Sequence, residues 1–282
     1  MGKWAAKSWS HGSSLPPKLV KPYVTEFKND KNDARGIYTA LVMGVREVPV
    51  KSSAIRYLAL LQTMRTKRQK EKVAKINHIR GILTEYGLVM GKSVNAFLAK
   101  AGSLIIELKE RADVSPYIVS ELLALFQEVK EAIAKIKELE TNIGSIAKTL
   151  KQYDLFQSAP EVGPITAATM LVLLCNPEVF KNGREFAGYI GLAPKSSGSG
   201  GKNVVTHIPK KYECNNEVRA LLVQCAHSIC RCRHKSDWVS LILARKPKKV
   251  AIIAVANKLA RQLWVMAKKG EKFERRLILA AV

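Results

Sequence analysis

The spacing of apolar positions changes its period along the chain, and each change marks a region. Up to residue 53, short apolar runs (Leu19-Val20, residues 38–43, Val48-Pro49-Val50) are separated by Pro, Gly and Asn/Asp. That is the rhythm of strands feeding helices in an α/β unit, here too short to be a complete one. Over residues 54–86, Leu58, Leu61, Met64, Val73, Ile76, Ile79 and Leu83 recur at three- and four-residue steps, which predicts a long amphipathic helix. From Pro116 onward, Leu122, Phe126, Val129, Ile133, Ile136, Ile143 and Leu150 follow the alternating steps of a coiled-coil seam. Glu140 and Ala147 fall on seam positions, so the stripe is expected to drift to Leu139 and Ile146. A hairpin within one chain and a contact between two copies would both use such a seam, and the spacing does not choose. After Tyr153 come Gly- and Pro-punctuated helical segments around a Gly/Ser loop, ending near Phe273. The pattern thus predicts an α/β region (1–53), a helical coiled-coil region (54–152) and a separate, mostly helical domain (153–282).

Charge adds a partner to this picture. The 282 residues carry 47 Lys+Arg against 23 Asp+Glu, a formal net charge of +24, which points to a polyanion, nucleic acid first. If the chain neutralises roughly 6–10 phosphates, its affinity should fall about 10³–10⁵-fold between low and moderate salt as counterions are released. A generally sticky or ribosome-associated basic protein is the plainer alternative. The helix predicted over 54–86 has a basic face, with Arg65, Lys67, Arg68, Lys70, Lys72, Lys75 and Arg80. Such a face could track a phosphate backbone or simply be solvated. No run of about 18 uncharged apolar residues occurs, and the first residues lack the apolar stretch of a signal peptide, so a cytoplasmic, nucleoid-associated protein is expected.

The five cysteines, Cys175, Cys214, Cys225, Cys230 and Cys232, are an odd number and fit reduced thiols. Cys225, His227, Cys230, Cys232 and His234 invite a zinc reading. They lie in or next to a predicted helix and no second CxxC pair completes a tetrahedral site, so small buried side chains are the better expectation.

Three further places carry candidate chemistry. Asp30 and Asp33 stand three residues apart, on one face if the segment is helical. Such a pair can hold a divalent metal, or can simply be first-turn acids of a helix. In residues 191–202, Ser196, Ser197 and Ser199 lie among glycines, with Lys195 and Lys202 nearby. A serine so placed could attack a phosphate while the lysines hold the backbone, or the stretch could be a flexible linker. Residues 159–169, with Gly163-Pro164, look like a helix-hairpin-helix turn presenting amides to phosphate, or an ordinary helix start with Pro in its first turn.

These pieces occur in a recognisable order. Leu19-Val20-Lys21-Pro22, the acidic run ending at Ala34 and Val48-Pro49-Val50-Lys51-Ser52 resemble the N-terminal domain of transposases of the IS-one-ten and IS-eleven-eleven insertion sequences. Val162-Gly163-Pro164-Ile165, Phe186-Ala187-Gly188-Tyr189, Gly191-Leu192-Ala193-Pro194, Ser199-Gly200-Gly201-Lys202 and Asn257-Lys258-Leu259-Ala260-Arg261 resemble that family's C-terminal domain. Several spaced motifs in order are far more specific than any one alone. The resemblance implies a RuvC-like (ribonuclease H-type) N-terminal domain in which four acidic residues bind Mg²⁺, Asp30 and Asp33 matching the last two. It also implies a serine nucleophile that joins covalently to DNA, at Ser199, with Ser197 as the fallback. Family members assemble as oligomers around a structured noncoding RNA that pairs with DNA, which would leave sequence choice to the RNA.

This sequence departs from the family in three places. The first strand with its Asp, and the next acidic position, have no counterpart, so the chain is expected to be an N-terminally shortened member. Ser196, Ser197 and Gly198 replace the usual charged approach to the serine, and Glu161 stands where the hairpin turn usually has Gly. The competing expectation is a catalytically deficient, nucleic-acid-binding remnant.

Overall fold

The computed structural model describes residues 13–24, 27, 29–45, 47–194, 196–199, 202–205, 207–210, 214–233 and 235–274. The described residues are mostly helical. In chain order they form β1 (Ser13–Ser14), α1 (Pro17–Val20), α2 (Asp30–Val42), β2 (Val48–Pro49), α3 (Ser53–Glu85), α4 (Val94–Lys109) and α5 (Pro116–Lys148). There follow α6 (Tyr153–Gln157), α7 (Pro164–Leu173), α8 (Gly183–Ile190), β3 (Ser196–Ser199), β4 (Lys202–Val205), α9 (Asn216–Arg231), α10 (Asp237–Arg245) and α11 (Lys248–Lys269).

The α/β expectation for the first 53 residues is met, among the described residues, only by the antiparallel two-residue ribbon β1–β2. The apolar run at 38–43 does not form a strand, because signals at both ends make it the second half of a helix. At the start of α2 the Asn29 side chain accepts from the Asn32 amide at 2.7 Å, and Asp30 and Asp33 sit in the first turn, where the helix dipole favours acids. At its end Gly44, at φ +68°, closes a Schellman turn in which Val45 and Gly44 donate to the carbonyls of Ala40 and Leu41. Ala40 is buried, whereas Ile37, Tyr38, Val42 and Met43 are exposed.

The two 33-residue helices α3 and α5, each about 50 Å long, form an antiparallel hairpin within the chain. Two ion pairs fix the direction: Arg65 meets Glu140 at 2.6 Å and Lys75 meets Glu128 at 2.5 Å. Ten residues forward on α3 is thus twelve residues back on α5. The coiled-coil seam is closed intramolecularly, and it does not drift. Ala147 is fully buried and Glu140 keeps its seam position because Arg65 reaches across to it, while Leu139 and Ile146 are only half-buried.

At one end of this hairpin, α4 closes a core of Ile76, Ile79, Leu83, Phe97, Ile105, Leu122 and Phe126, with the Phe97 and Phe126 rings edge to face. At the other end Ile55, Leu58, Ile143 and Ala147 join the larger core built by α6–α11. The 54–152 stretch therefore shares its packing with 153–282. α11 runs through that larger core, in contact with α8, α9 and α10. It is the one described helix long and apolar enough to cross a membrane by length and composition, and its apolar side, including Ile252, Val255, Leu259 and Leu263, is buried inside the protein.

Cys225 and Cys230 are buried on α9, as expected for small core side chains. No cluster of three or more metal-ligating side chains occurs among the described residues; His234 lies outside them.

Candidate serine hairpin and nucleic-acid interface

The Gly/Ser stretch is not a free linker but a β-hairpin. α8 stops at Gly191, whose φ of +82° forms a Schellman turn with Leu192 donating to Ala187. A Cβ at Gly191 would also lie 2.5 Å from the Cys214 sulfur, so only glycine fits. β3 then pairs antiparallel with β4, with Ser196 opposite Val205 and Ser199 opposite Lys202. Ser199 is therefore the last residue of β3, at the tip, joined to its partner by Gly200-Gly201. A Gly-Gly pair between two short runs is itself a hairpin signal in a sequence, and Gly200 and Gly201 lie outside the described residues. Lys195 lies outside the described residues.

Two polar side chains hold the stem of this hairpin. Arg219 on α9, only 9% exposed, donates through Nη1 to the carbonyls of Pro209 (2.6 Å) and Gly191 (3.4 Å) and through Nη2 to Asn216 (2.9 Å). Asn257 on α11 donates to the Leu192 carbonyl at 3.2 Å. Both ends of the hairpin segment are thereby fixed to the helical core, which places the tip on a rigid base. Neither residue was assigned a role from the sequence. Arg219 is an arginine between buried Val218 and Leu222 on an otherwise apolar helix face, and that was the available signal.

Asp30 and Asp33 do lie together in the first turn of α2, Asp30 exposed and Asp33 half-buried. α2 packs on α1 and on the 3₁₀ turn Lys21–Tyr23, whereas the serine hairpin is carried by α8, α9 and α11. Acids and serine thus belong to separate parts of the chain.

In the turn between α6 and α7, Gly163 is the N-cap of α7, Pro164 follows it, and no side chain caps the helix. Nothing stands within 4 Å of where a Cβ on Gly163 would be, so the helix start is open to an approaching group. Glu161 in the same turn has φ +59°, the left-handed region that glycine adopts without strain.

The basic face of α3 divides in two. Arg65 and Lys75 are engaged with Glu140 and Glu128 on α5, Lys70 meets Glu217 on α9 at 2.7 Å, and Arg80 donates to the carbonyls of Gly91, Lys92 and Ser93. These cations join elements of the fold to one another. Arg68 and Lys67 point to solvent, Lys67 beside Glu71 at 4.0 Å, and Lys72 is half-exposed.

The fold so defined is a strongly basic, mostly helical protein in which a long helical hairpin is fused to a compact unit bearing a serine-tipped β-hairpin. Residues 153–240, most of that unit, match the transposase IS116/IS110/IS902 family. A putative transposase y4pF/y4sB of Sinorhizobium fredii is 32% identical, over 96% of this chain and 71% of its own length. The transposase for insertion sequence element IS1111A of Coxiella burnetii is 30% identical, over 92% of this chain and 72% of that protein. The transposase for insertion sequence element IS1328 of Yersinia enterocolitica is 28% identical, over 93% and 78%. The chain belongs to the IS116/IS110/IS902 family of transposases.

Proposed function

We propose that this chain acts in the transposition of an insertion sequence, breaking and rejoining DNA through Ser199. The observation that carries the reading is the place of Ser199 at the tip of a hairpin anchored by Arg219 and Asn257, directly opposite Lys202. In the proposed step the serine oxygen forms a bond to phosphorus as one P–O bond to a sugar breaks. The serine hydroxyl gives up its proton and the departing sugar oxygen takes one up, so the exchange balances. The phosphodiester is conserved as a protein–DNA ester, so the strand can be rejoined by the reverse displacement without an outside energy source. Lys202 and Lys195 supply positive charge at the phosphate, and the open start of α7 at Gly163 takes a neighbouring backbone phosphate.

Asp30 and Asp33 fit a magnesium ion that keeps water and substrate phosphate among its ligands, since Mg²⁺ commonly uses only one or two carboxylates. When bound, it would neutralise charge on a phosphate held at the start of α2. The exposed Lys67 and Arg68, with the half-exposed Lys72, fit the backbone of DNA or of a structured guide RNA. Because the α3–α5 seam is filled within one chain, an oligomer would use other surfaces, and α3 offers the exposed row Tyr57, Leu60 and Met64.

The test is covalent capture on labelled junction DNA with Mg²⁺, comparing the unmodified chain with Ser199→Ala, Ser197→Ala and Asp30→Asn. A protein–DNA product that disappears in Ser199→Ala and survives in Ser197→Ala is expected. A product that persists in Ser199→Ala defeats the assignment, and no product from any form favours the binding-only alternative.

A further inference from the structure

A groove in the compact unit lies between the start of α8 and the outer face of α11, and none of the steps above uses it. Its volume is about 410 Å³, within the range of small-ligand sites. On α11, Lys258, Arg261, Gln262 and Val265 recur at three- and four-residue steps and so share one face. Opposite them stand Arg184 and the first turn of α8. Gly183 makes the close approach possible, because a Cβ there would lie 3.2 Å from the backbone of Arg261. Val265, Met266 and Phe273 give the groove an apolar wall, and Arg184 and Arg261 give it a basic rim.

We propose that this groove binds a single unpaired nucleotide of a nucleic-acid strand, with its phosphate at Arg184 and Arg261 and its base against Val265, Met266 and Phe273. The proposal rests on the reading of the chain as one that handles nucleic acid.

Three observations support an acceptor-bearing, part-apolar ligand. First, Arg261 Nε and Gln262 Nε2 are buried with no hydrogen-bond partner. Unsatisfied buried donors are rare, and an incoming acceptor would satisfy them. Second, Lys258 is only 5% exposed and forms a common wall between the groove and a smaller cavity of about 130 Å³. Its ammonium stands 4.1 Å from the Trp238 ring centre, which adds positive charge behind the rim. Third, among the described residues no acid lines the groove: Glu161 lines the smaller cavity, and Glu185 accepts from the Lys181 amide. A bare phosphate would leave the apolar wall uncovered, and an uncharged apolar ligand would leave the arginines unmatched. A nucleotide meets both, because its base has an apolar face that stacks on an aromatic ring and its phosphate pairs with guanidinium. The groove takes one nucleotide and not a duplex, so the strand must be unpaired where it enters. α11 also carries Asn257, which anchors the stem of the serine hairpin at Leu192, so a strand held here is held on a helix that supports that hairpin.

The test uses the full chain with single-stranded DNA and RNA of about ten nucleotides, each carrying one thio-substituted base for photo-crosslinking, and a blunt duplex of equal length. Crosslinks to α11 or Phe273 are expected. Val265→Trp, which fills the groove, and Arg184→Ala should each weaken single-strand binding about tenfold. The Arg184→Ala salt slope should fall by about one. Duplex binding and helical circular dichroism should stay unchanged. Preference for one strand type identifies the ligand as DNA or RNA. Single-strand affinity unaltered in both variants, or crosslinks only outside the groove, overturns the proposal. If Val265→Trp fails to fold, Arg184→Ala on the exposed rim decides. Covalent capture by Ser199 with no groove effect would sink this inference alone, whereas absence of any nucleic-acid binding would sink the functional reading itself.

Discussion

Arg219 donates to the carbonyl oxygen of Pro209 at 2.6 Å from a position only 9% exposed. The same nitrogen reaches Gly191, so one guanidinium joins the two ends of the segment that carries Ser199. Arg219→Met should leave both carbonyls without this donor and lower stability by about 2–4 kcal/mol. The amides of β3 and β4 should exchange faster by a matching factor in hydrogen-exchange measurements. Arg219→Lys, which lacks the forked donor geometry, should recover only part of the loss. Unchanged hairpin exchange in Arg219→Met would show that the stem is held by other contacts.

Glu161, at φ +59°, is the single described non-glycine residue in the left-handed region. A side chain there costs roughly 1 kcal/mol or more. Glu161→Gly removes that strain and should raise stability by about 1 kcal/mol in urea unfolding, in spite of the added freedom of glycine in the unfolded chain. It also removes a negative charge beside the open start of α7, so DNA affinity should rise. Lower stability in Glu161→Gly would mean that its carboxylate makes a compensating contact.

The cations of α3 should separate into two classes. Arg65→Ala breaks a pair whose side chains are 19% and 36% exposed and which occupies a seam position. It should cost about 1–2 kcal/mol of stability, with little change in the salt dependence of DNA binding. Arg68→Ala and Lys72→Ala should leave stability within about 0.5 kcal/mol and lower the salt slope by about one each. The opposite partition would mean that the hairpin pairs open when nucleic acid binds.

The long helices could be read from the chain because a three-and-four-residue apolar period over 33 positions has no strand alternative. Which seam partner is used could not be read, because the decisive contact, Arg65 with Glu140, joins residues 75 positions apart. Residues 38–43 misled for a related reason. Their apolar run is compatible with a strand or a helix, and the choice was made by Asn29 and Gly44 at the far ends of α2. The serine motif was visible, but its hairpin geometry depended on pairing between Ser199 and Lys202, and its anchors, Arg219 and Asn257, lie on helices distant in sequence. Glu161 stands where the resemblance leads one to expect glycine, and its positive φ is the physical reason for that preference.

Lys258 ties stability to pH in a way that separates it from its neighbours. Burial, and then the charge of Arg261, lower its pKa from 10.5. Below that lowered value both states hold the proton, and this residue's contribution to stability is at its lowest. Between it and 10.5 the unfolded chain holds a proton that the folded chain has released, so this residue's contribution to stability rises with pH. Burial raises Cys225, Cys230 and Tyr153 instead, which gives the opposite slope above their ordinary values. Those three groups are present in both proteins when Lys258→Met is compared with the unmodified chain, and they cancel in the difference. Methionine keeps the apolar stem and lacks the charge. Lys258→Met should therefore be at least as stable near neutral pH, and its advantage should shrink as pH rises toward 10.5, as read from urea unfolding of both proteins across that range. A difference that grows with pH would mean that the ammonium is net stabilising where it lies. If the variant is as stable as expected and yet binds single strands more weakly, the buried charge is retained at a cost to the fold, the mark of a residue kept for a ligand rather than for packing.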